Sequence, residues 1–282
     1  MQPGIHLDLD GAWESGILGI PTLDLRDWGP RLRYSAPRSE MAAFCRQVEG
    51  RLAPFILFGS GDFHHLAGAL VHRMPQAVTL VSFDNHPDWD VRSLAWGCGG
   101  WINRALESGR VDRAVVWGCA NFEVAWPHRL FANRSSLRNG RLVVRPWAER
   151  QSARTLRRYD AITADNWRQQ FDQFADEVAG ADVYVTIDLD CLRREEAITN
   201  WENGLFAAAD LVWALGRLHD RTRILGGDLC GGWSRPVYAR WTQRVAGYWD
   251  HPRLAQIDGD EARSINHATL EAIWPALVGR GC

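Results

Sequence analysis

Three short clusters of acidic and imidazole side chains hold the chemistry of this chain: Gly59-Ser-Gly-Asp-Phe-His-His65, Asp84-Asn-His-Pro-Asp88 and Asp188-Leu-Asp190. Carboxylates and imidazoles this close repel one another, or lose their charge, unless a cation sits among them. Asp and His donors without a nearby thiol pair suit Mn²⁺, Zn²⁺ or Fe²⁺. The four carboxylates of Asp84, Asp88, Asp188 and Asp190 are balanced by two divalent ions. Such ions, about 3.5–4 Å apart, can hold and acidify a water between them. In Asp84-x-His86-x-Asp88 an extended backbone points the three side chains to one face. Fully extended, it would set the outer carboxylates roughly 13 Å apart, so the chain must turn at Pro87 to build one site.

Elements that could position these groups precede them. Phe55–Phe58 leads into the first cluster, Val78–Phe83 ends on Asp84, and Val183–Ile187 ends on Asp188. Further apolar β-rich runs are Ala114–Trp117, Leu142–Val144 and Arg223–Leu225. Between them, Trp167–Val178 and Leu211–Leu218 have helical spacing, with Asp210 as the expected N-cap of the latter. Strands alternating with helices imply a parallel sheet covered on both faces. In such a sheet ligands bind at the carboxyl ends of the strands, which is where the clusters fall. His6-Leu-Asp-Leu-Asp10 reads as an edge strand with a solvated polar face, Asp258-Gly-Asp260 as a turn, and Arg150–Arg158 as a solvated basic face.

Bulk properties bound the rest. The 282 residues are 46% hydrophobic and 23% charged, enough for a real core, with a net charge of −2 that favours neither nucleic acid nor an anionic membrane. No run approaches the roughly 20 apolar residues of a membrane span, and no secretory signal is visible. Six cysteines without a CxxC pair read as reduced thiols, which suits the cytoplasm. With no linker-like composition shift, residues 1–282 read as a single domain. Of the fifteen tryptophans, Trp89, Trp96, Trp101, Trp201 and Trp233 flank the clusters. They are expected either in the core or as an aromatic wall around a pocket.

The clusters resemble the ureohydrolase superfamily of arginase, agmatinase and formiminoglutamase, with its GGDHS, DAHxD and SxDxDxxDP motifs in the same order. The likeness runs from about residue 55 to about 236 and continues through Asn203-Gly-Leu205 and Gly226-Gly-Asp-Leu-Cys-Gly231. It implies an α/β fold: a three-layer α/β/α sandwich on a mainly parallel, about eight-stranded sheet. It further implies a dinuclear Mn²⁺ hydrolase of a C–N bond in a small molecule, and homo-oligomers for which no interface is readable. Carried over, His64 becomes the terminal ligand of the first ion, completed by Asp88, with Asp84 and Asp188 bridging. His86 and Asp190 complete the second ion. His65 competes with His64, which is favoured because one inserted residue is easier to accommodate than two. Asp190 or Asp228 is expected to handle the proton.

Three departures accompany the likeness. Trp96–Trp101 lacks the family's catalytic histidine, Leu192-Arg-Arg-Glu-Glu196 replaces the loop after DxD, and Gly231 stands where a glutamate would help hold a guanidinium. A buried guanidinium needs carboxylate partners, so arginine and agmatine are not the expected substrates. Two alternatives stay open: a mononuclear Zn²⁺ amidohydrolase of deacetylase type, and a catalytically inactive metal- or ligand-binding homologue.

Overall fold

A computed structural model describes residues 3–92, 95–251 and 257–279. Cys282 and the first two residues lie outside them; the other five cysteines are free thiols. Eight strands form the central sheet: β1 Gly4–Asp8, β2 Thr22–Asp24, β3 Phe55–Phe58, β4 Val78–Phe83, β5 Val111–Trp117, β6 Leu142–Arg145, β7 Asp182–Asp188 and β8 Arg223–Cys230. Their order is β2-β1-β3-β8-β7-β4-β5-β6, and every pairing is parallel.

Successive side chains of each strand go to opposite faces, and both faces are apolar, as a sheet buried on two sides requires. Ile56 and Phe58 of β3 join one core, with Leu80 of β4 and Val116 of β5. Helices α1 (Arg38–Val48) and α2 (Trp101–Glu107) cover that face, through Met41, Phe44, Trp101 and Ile102. Phe55 and Leu57 join the other core, with Val81, Val185 and Leu229. That face is covered by α3 (Trp167–Glu177), α4 (Ala208–Arg221) and α6 (Gly259–Val278). The result is an α/β/α sandwich. A further helix, α5 (Trp241–Asp250), precedes α6. Among the described residues no helix is long and apolar enough to cross a membrane.

Several local expectations change. Strand β1 is not an edge strand: it lies between β2 and β3, and all five of its residues are buried. The alternation Ile-His-Leu-Asp looks like a half-solvated strand, but its polar members find partners. His6 Nδ1 lies 3.3 Å from Thr22 Oγ1, and Asp8 accepts from Arg26 Nε at 2.8 Å. Strand β8 runs on to Cys230, well past the expected Leu225. Gly226 and Gly227 hid that extension, and close approach explains them: a Cβ would come within 2.7 Å of Pro54 O at Gly226 and 2.5 Å of Val185 O at Gly227. Asp210 is the third residue of α4 rather than its cap, and its carboxylate accepts from the Ala207 N–H at 2.9 Å. Asp258 caps α6 by accepting from the amides of Asp260 and Glu261.

Candidate metal centre

The four central strands β3, β8, β7 and β4 lie side by side, and the clusters leave their carboxyl ends. After β3 the chain crosses two strands to reach β4, so the site sits where the strand order reverses. Gly61 opens a 3₁₀ turn that delivers His64. A Cβ on Gly61 would stand 2.6 Å from Asp188 Oδ2 and 3.1 Å from Trp201 Cδ1, so only glycine lets this turn approach β7. After β4 the chain turns at Pro87, and Asp88 takes a left-handed φ of 46°, folding its carboxylate back toward Asp84.

Six side chains thereby converge. His64 Nδ1 is 3.0 Å from Asp84 Oδ2, 3.4 Å from Asp88 Oδ2 and 3.6 Å from Asp188 Oδ2. His86 Nδ1 is 2.9 Å from Asp190 Oδ2 and 3.5 Å from Asp84 Oδ1. Two triads of donors, His64–Asp84–Asp88 and Asp84–His86–Asp190, each fit within 4.8 Å and share Asp84. His64 and Asp188 also form a triad with Cys230. That thiol donates a hydrogen bond to Asp188 Oδ2 at 3.4 Å, and burial pushes its pKa well up, so Cys230 stays a neutral thiol at the edge of the cluster.

Behind His64 lies a relay. Tyr184 Oη and Thr186 Oγ1 each donate to Asp228 at 2.6 Å. With its proton committed to Asp228, Thr186 Oγ1 accepts from His64 Nε2 at 2.9 Å. In the neutral imidazole this assigns the proton to Nε2 and turns the Nδ1 lone pair toward three carboxylates. A lone pair facing carboxylate oxygens at these distances is repulsive unless a cation lies between them.

The electrostatics agree. Burial, reinforced by Asp84, pushes Asp88 up to about 8, and burial with the charge of Asp190 pushes Asp188 up to about 8. Burial raises Asp190 to about 6 against the pull of His86. For Asp84, burial is outweighed by the adjacent imidazoles of His64 and His86, which hold it below the usual carboxylate range. Burial would lower both histidines, but the surrounding carboxylates hold them well above the ordinary value. Protons thus do the work of missing positive charge. Asp84 Oδ2 is buried 3.0 Å from His64 Nδ1 without a hydrogen bond of good geometry, as an oxygen turned toward a cation would be. The donor set fits a pair of divalent cations.

His65 does not join the cluster: it is fully buried, and burial next to His64 lowers it to about 3. Asp190 lines the pocket above the cluster, whereas Asp228 lies behind it with both oxygens occupied. Of the two expected proton handlers, only Asp190 faces the cavity. Tryptophans divide between both expected roles. Trp89 is core; Trp101 donates Nε1–H to Asp88 with its ring 4.9 Å from His64; Trp201 lines the cavity 5.2 Å from the His86 ring.

The mouth carries acids that no motif announced, beside the expected Trp201. Glu123, Asp250 and Trp201 line it, and Glu202 Oε1 is 3.6 Å from His86 Nε2. Tyr34 stacks on Trp201 at 6.4 Å and donates to Asp250 at 2.7 Å. His251 meets Trp201 edge-on at 4.6 Å and bonds Asp62 at 2.6 Å. Cys98 and Gly99 line the wall where the family histidine would be expected. At Gly231, with φ of 102°, a Cβ would strike Asp188 Oδ1 at 2.4 Å and Leu189 N at 2.5 Å. No carboxylate can stand there without rebuilding the centre.

Gly61→Ala is expected to push Asp188 or Trp201 aside and weaken metal binding roughly 10–100-fold, the usual cost of disturbing ligand support. Calorimetric titration with Mn²⁺ measures it, and unchanged affinity would show that the close approach at Gly61 is dispensable.

No protein-family model matches the chain. A Thermotoga maritima protein described only as uncharacterized is 28% identical over 173 residues, which is 61% of this chain and 55% of that protein. The chain therefore spans about half the length of the curated relative it matches. Among solved structures, arginase from Bacillus cereus superposes over 100% of both chains with a TM-score of 0.57 at 13% identity. Arginase from Medicago truncatula does so over 85% of this chain and 64% of its own, with a TM-score of 0.50 at 17% identity. At such identities the likeness establishes a shared fold.

Proposed function

We propose that this chain, whose fold is arginase-like, is a metal-dependent hydrolase of a C–N bond in a small molecule, working with two divalent cations, Mn²⁺ in the first instance. The observation that carries the reading is the pair of ligand triads sharing Asp84. One zinc would use one triad and leave the other without a purpose, so the dinuclear reading is favoured over the mononuclear one. His64, Asp84, Asp88 and Asp188 would hold the first ion; Asp84, His86, Asp188 and Asp190 the second. Bound there, such ions lower the pKa of a water toward neutrality and polarise the carbon under attack.

The chain's own residues do the rest. The Asp228–Thr186–His64 relay fixes which nitrogen of His64 faces the ions. Asp190, whose Oδ1 accepts from the Asn85 amide at 3.1 Å and whose Oδ2 lies 2.9 Å from His86 Nδ1, would hold the second ion and is the cavity-lining member of the two carboxylates considered for the proton. Trp201 and Tyr34 form an aromatic wall that limits water at the mouth. Glu123, Glu202 and Asp250 favour neutral or cationic substrates over carboxylates and phosphates. Because Gly231 excludes a carboxylate beside Asp188, arginine and agmatine are not the substrates we propose. The free thiols suit a cytoplasmic enzyme.

The test is a panel of guanidino, formimino and acetamido compounds with Mn²⁺-loaded and Zn²⁺-loaded protein. Turnover lost in Asp188→Ala supports the proposal. Two bound ions with no turnover across the panel would favour the inactive, ligand-binding alternative.

A further inference from the structure

Four guanidinium groups gather where no motif placed them. Arg129 lies on the turn His128–Phe131, Arg134 opens the helix Arg134–Arg138, and Arg154 and Arg158 come from the helix Ala153–Leu156 and the residues just after it. All four line one pocket of about 270 Å³, and no carboxylate lines it. Arg129 is half-buried and held in place: its Nε donates to Tyr159 Oη at 2.9 Å, and that hydroxyl donates in turn to Val124 O at 3.0 Å. Among the described residues the side chains of Arg134, Arg154 and Arg158 make no hydrogen bond or ion pair. The basic stretch 150–158 is thus more than a solvated face, since it contributes two of the four charges. Like charges collected around one pocket repel one another unless an anion joins them. Trp126, 72% exposed, and Leu130 line the same pocket.

We infer that this pocket binds a mononucleotide, with the phosphate among the arginines and the base against Trp126. The phosphate follows from charge and shape. A phosphate monoester carries about −1.5 to −2 charges at neutral pH and three acceptor oxygens, and the planar fork of an arginine meets such oxygens two at a time. A single carboxylate would leave most of the four positive charges unanswered. The base follows from the indole, because an exposed tryptophan beside an anion site offers a stacking surface and every base has a π-face. Size sets the limit. A pocket of 270 Å³ lies just below the roughly 300–1,000 Å³ of ordinary ligand sites, which suits one nucleotide rather than a dinucleotide. The ligand is distinct from the substrate of the metal centre. Val124 lines this pocket while its neighbour Glu123 lines the acidic mouth, so a single turn separates a site that attracts phosphates from one that repels them.

Titration calorimetry on the full chain, stripped of metal so that no cation can hold the phosphate, tests this with adenosine 5′-monophosphate, inorganic phosphate and adenosine. The nucleotide is expected to bind with a Kd below roughly 1 mM, inorganic phosphate about tenfold more weakly, and adenosine more weakly still. An Arg154→Glu, Arg158→Glu double variant is expected to lose more than about tenfold in affinity for both phosphate ligands. Trp126→Ala is expected to lose about tenfold for the nucleotide alone. All three side chains are exposed, so the interior is untouched, and circular dichroism verifies the fold of each variant. No binding of the nucleotide at millimolar concentration overturns the inference, as does binding that both folded variants leave unchanged. Adenosine bound as tightly as its monophosphate overturns the role of the arginines, and inorganic phosphate bound as tightly as the nucleotide overturns that of Trp126. A single-stranded oligonucleotide bound more tightly than the monomer, and released by the arginine variant, overturns the inference in favour of nucleic acid. None of these outcomes depends on the hydrolase reading, since no residue of this pocket lines the metal centre.

Discussion

Without metal, Asp188→Asn is expected to melt at a higher temperature than wild type, and saturating Mn²⁺ is expected to reverse that order. Asp188 is buried beside Asp190 and Asp84, and burial with those charges raises it to about 8. The metal-free centre therefore holds a carboxyl that must either stay charged against its neighbours or take up a proton that the unfolded chain does not need near neutral pH. The amide keeps the shape and removes that cost, and it also removes a carboxylate proposed to hold the ions. Two sites, each at a hundredfold excess of ion over its dissociation constant, stabilise the folded chain by roughly 5 kcal/mol. For a chain of this size that corresponds to a rise on the order of 10 °C in wild type, with little response in the variant. Differential scanning fluorimetry with and without Mn²⁺ reads both. A variant less stable than wild type when metal-free would show that Asp188 serves packing rather than cation binding.

Asp84→Ala and His86→Ala should separate the two ions. Asp84 belongs to both triads, with Oδ2 3.0 Å from His64 Nδ1 and Oδ1 3.5 Å from His86 Nδ1. Its loss is expected to abolish both ions, whereas His86→Ala leaves His64, Asp88 and Asp188 to keep the first. Removing the ions forfeits several kcal/mol of transition-state stabilisation, so turnover of any substrate found should fall about 10³-fold in Asp84→Ala. Elemental analysis after gel filtration counts the ions. Equal stoichiometry in the two variants would refute the sharing of Asp84.

Asp228→Asn probes the relay rather than the ligands. The amide cannot accept from both Tyr184 and Thr186, so the hold on the His64 tautomer loosens. A loss of roughly 10–100-fold in Mn²⁺ affinity is expected by titration calorimetry. Unaltered affinity would reduce Asp228 to a packing residue.

The ligand-bearing strands were legible because parallel strands buried on both faces read as continuous apolar runs, and β4 and β7 stop on their acids. The turn at Pro87 followed from chain length alone, and Asp88 supplies it with its left-handed backbone. What escaped was whatever depends on partners far away in sequence. His6 and Asp8 carry the pattern of a solvated edge, and only Thr22 and Arg26 make their burial tolerable. The glycine pair in β8 resembles a turn until the neighbouring carbonyls are in view. Glu123 and Asp250 reach the mouth from segments with no motif, so no local signal marks them. Trp201 did have a signal, its place near the clusters, but aromatic composition could not distinguish pocket wall from core.

The most direct test is anomalous diffraction from crystals grown with Mn²⁺, collected at the manganese absorption edge. The account predicts two peaks per chain, one among His64, Asp84 and Asp88, the other among Asp84, His86 and Asp190. Density free of anomalous signal at these side chains, at a concentration that saturates surface sites elsewhere, would contradict it.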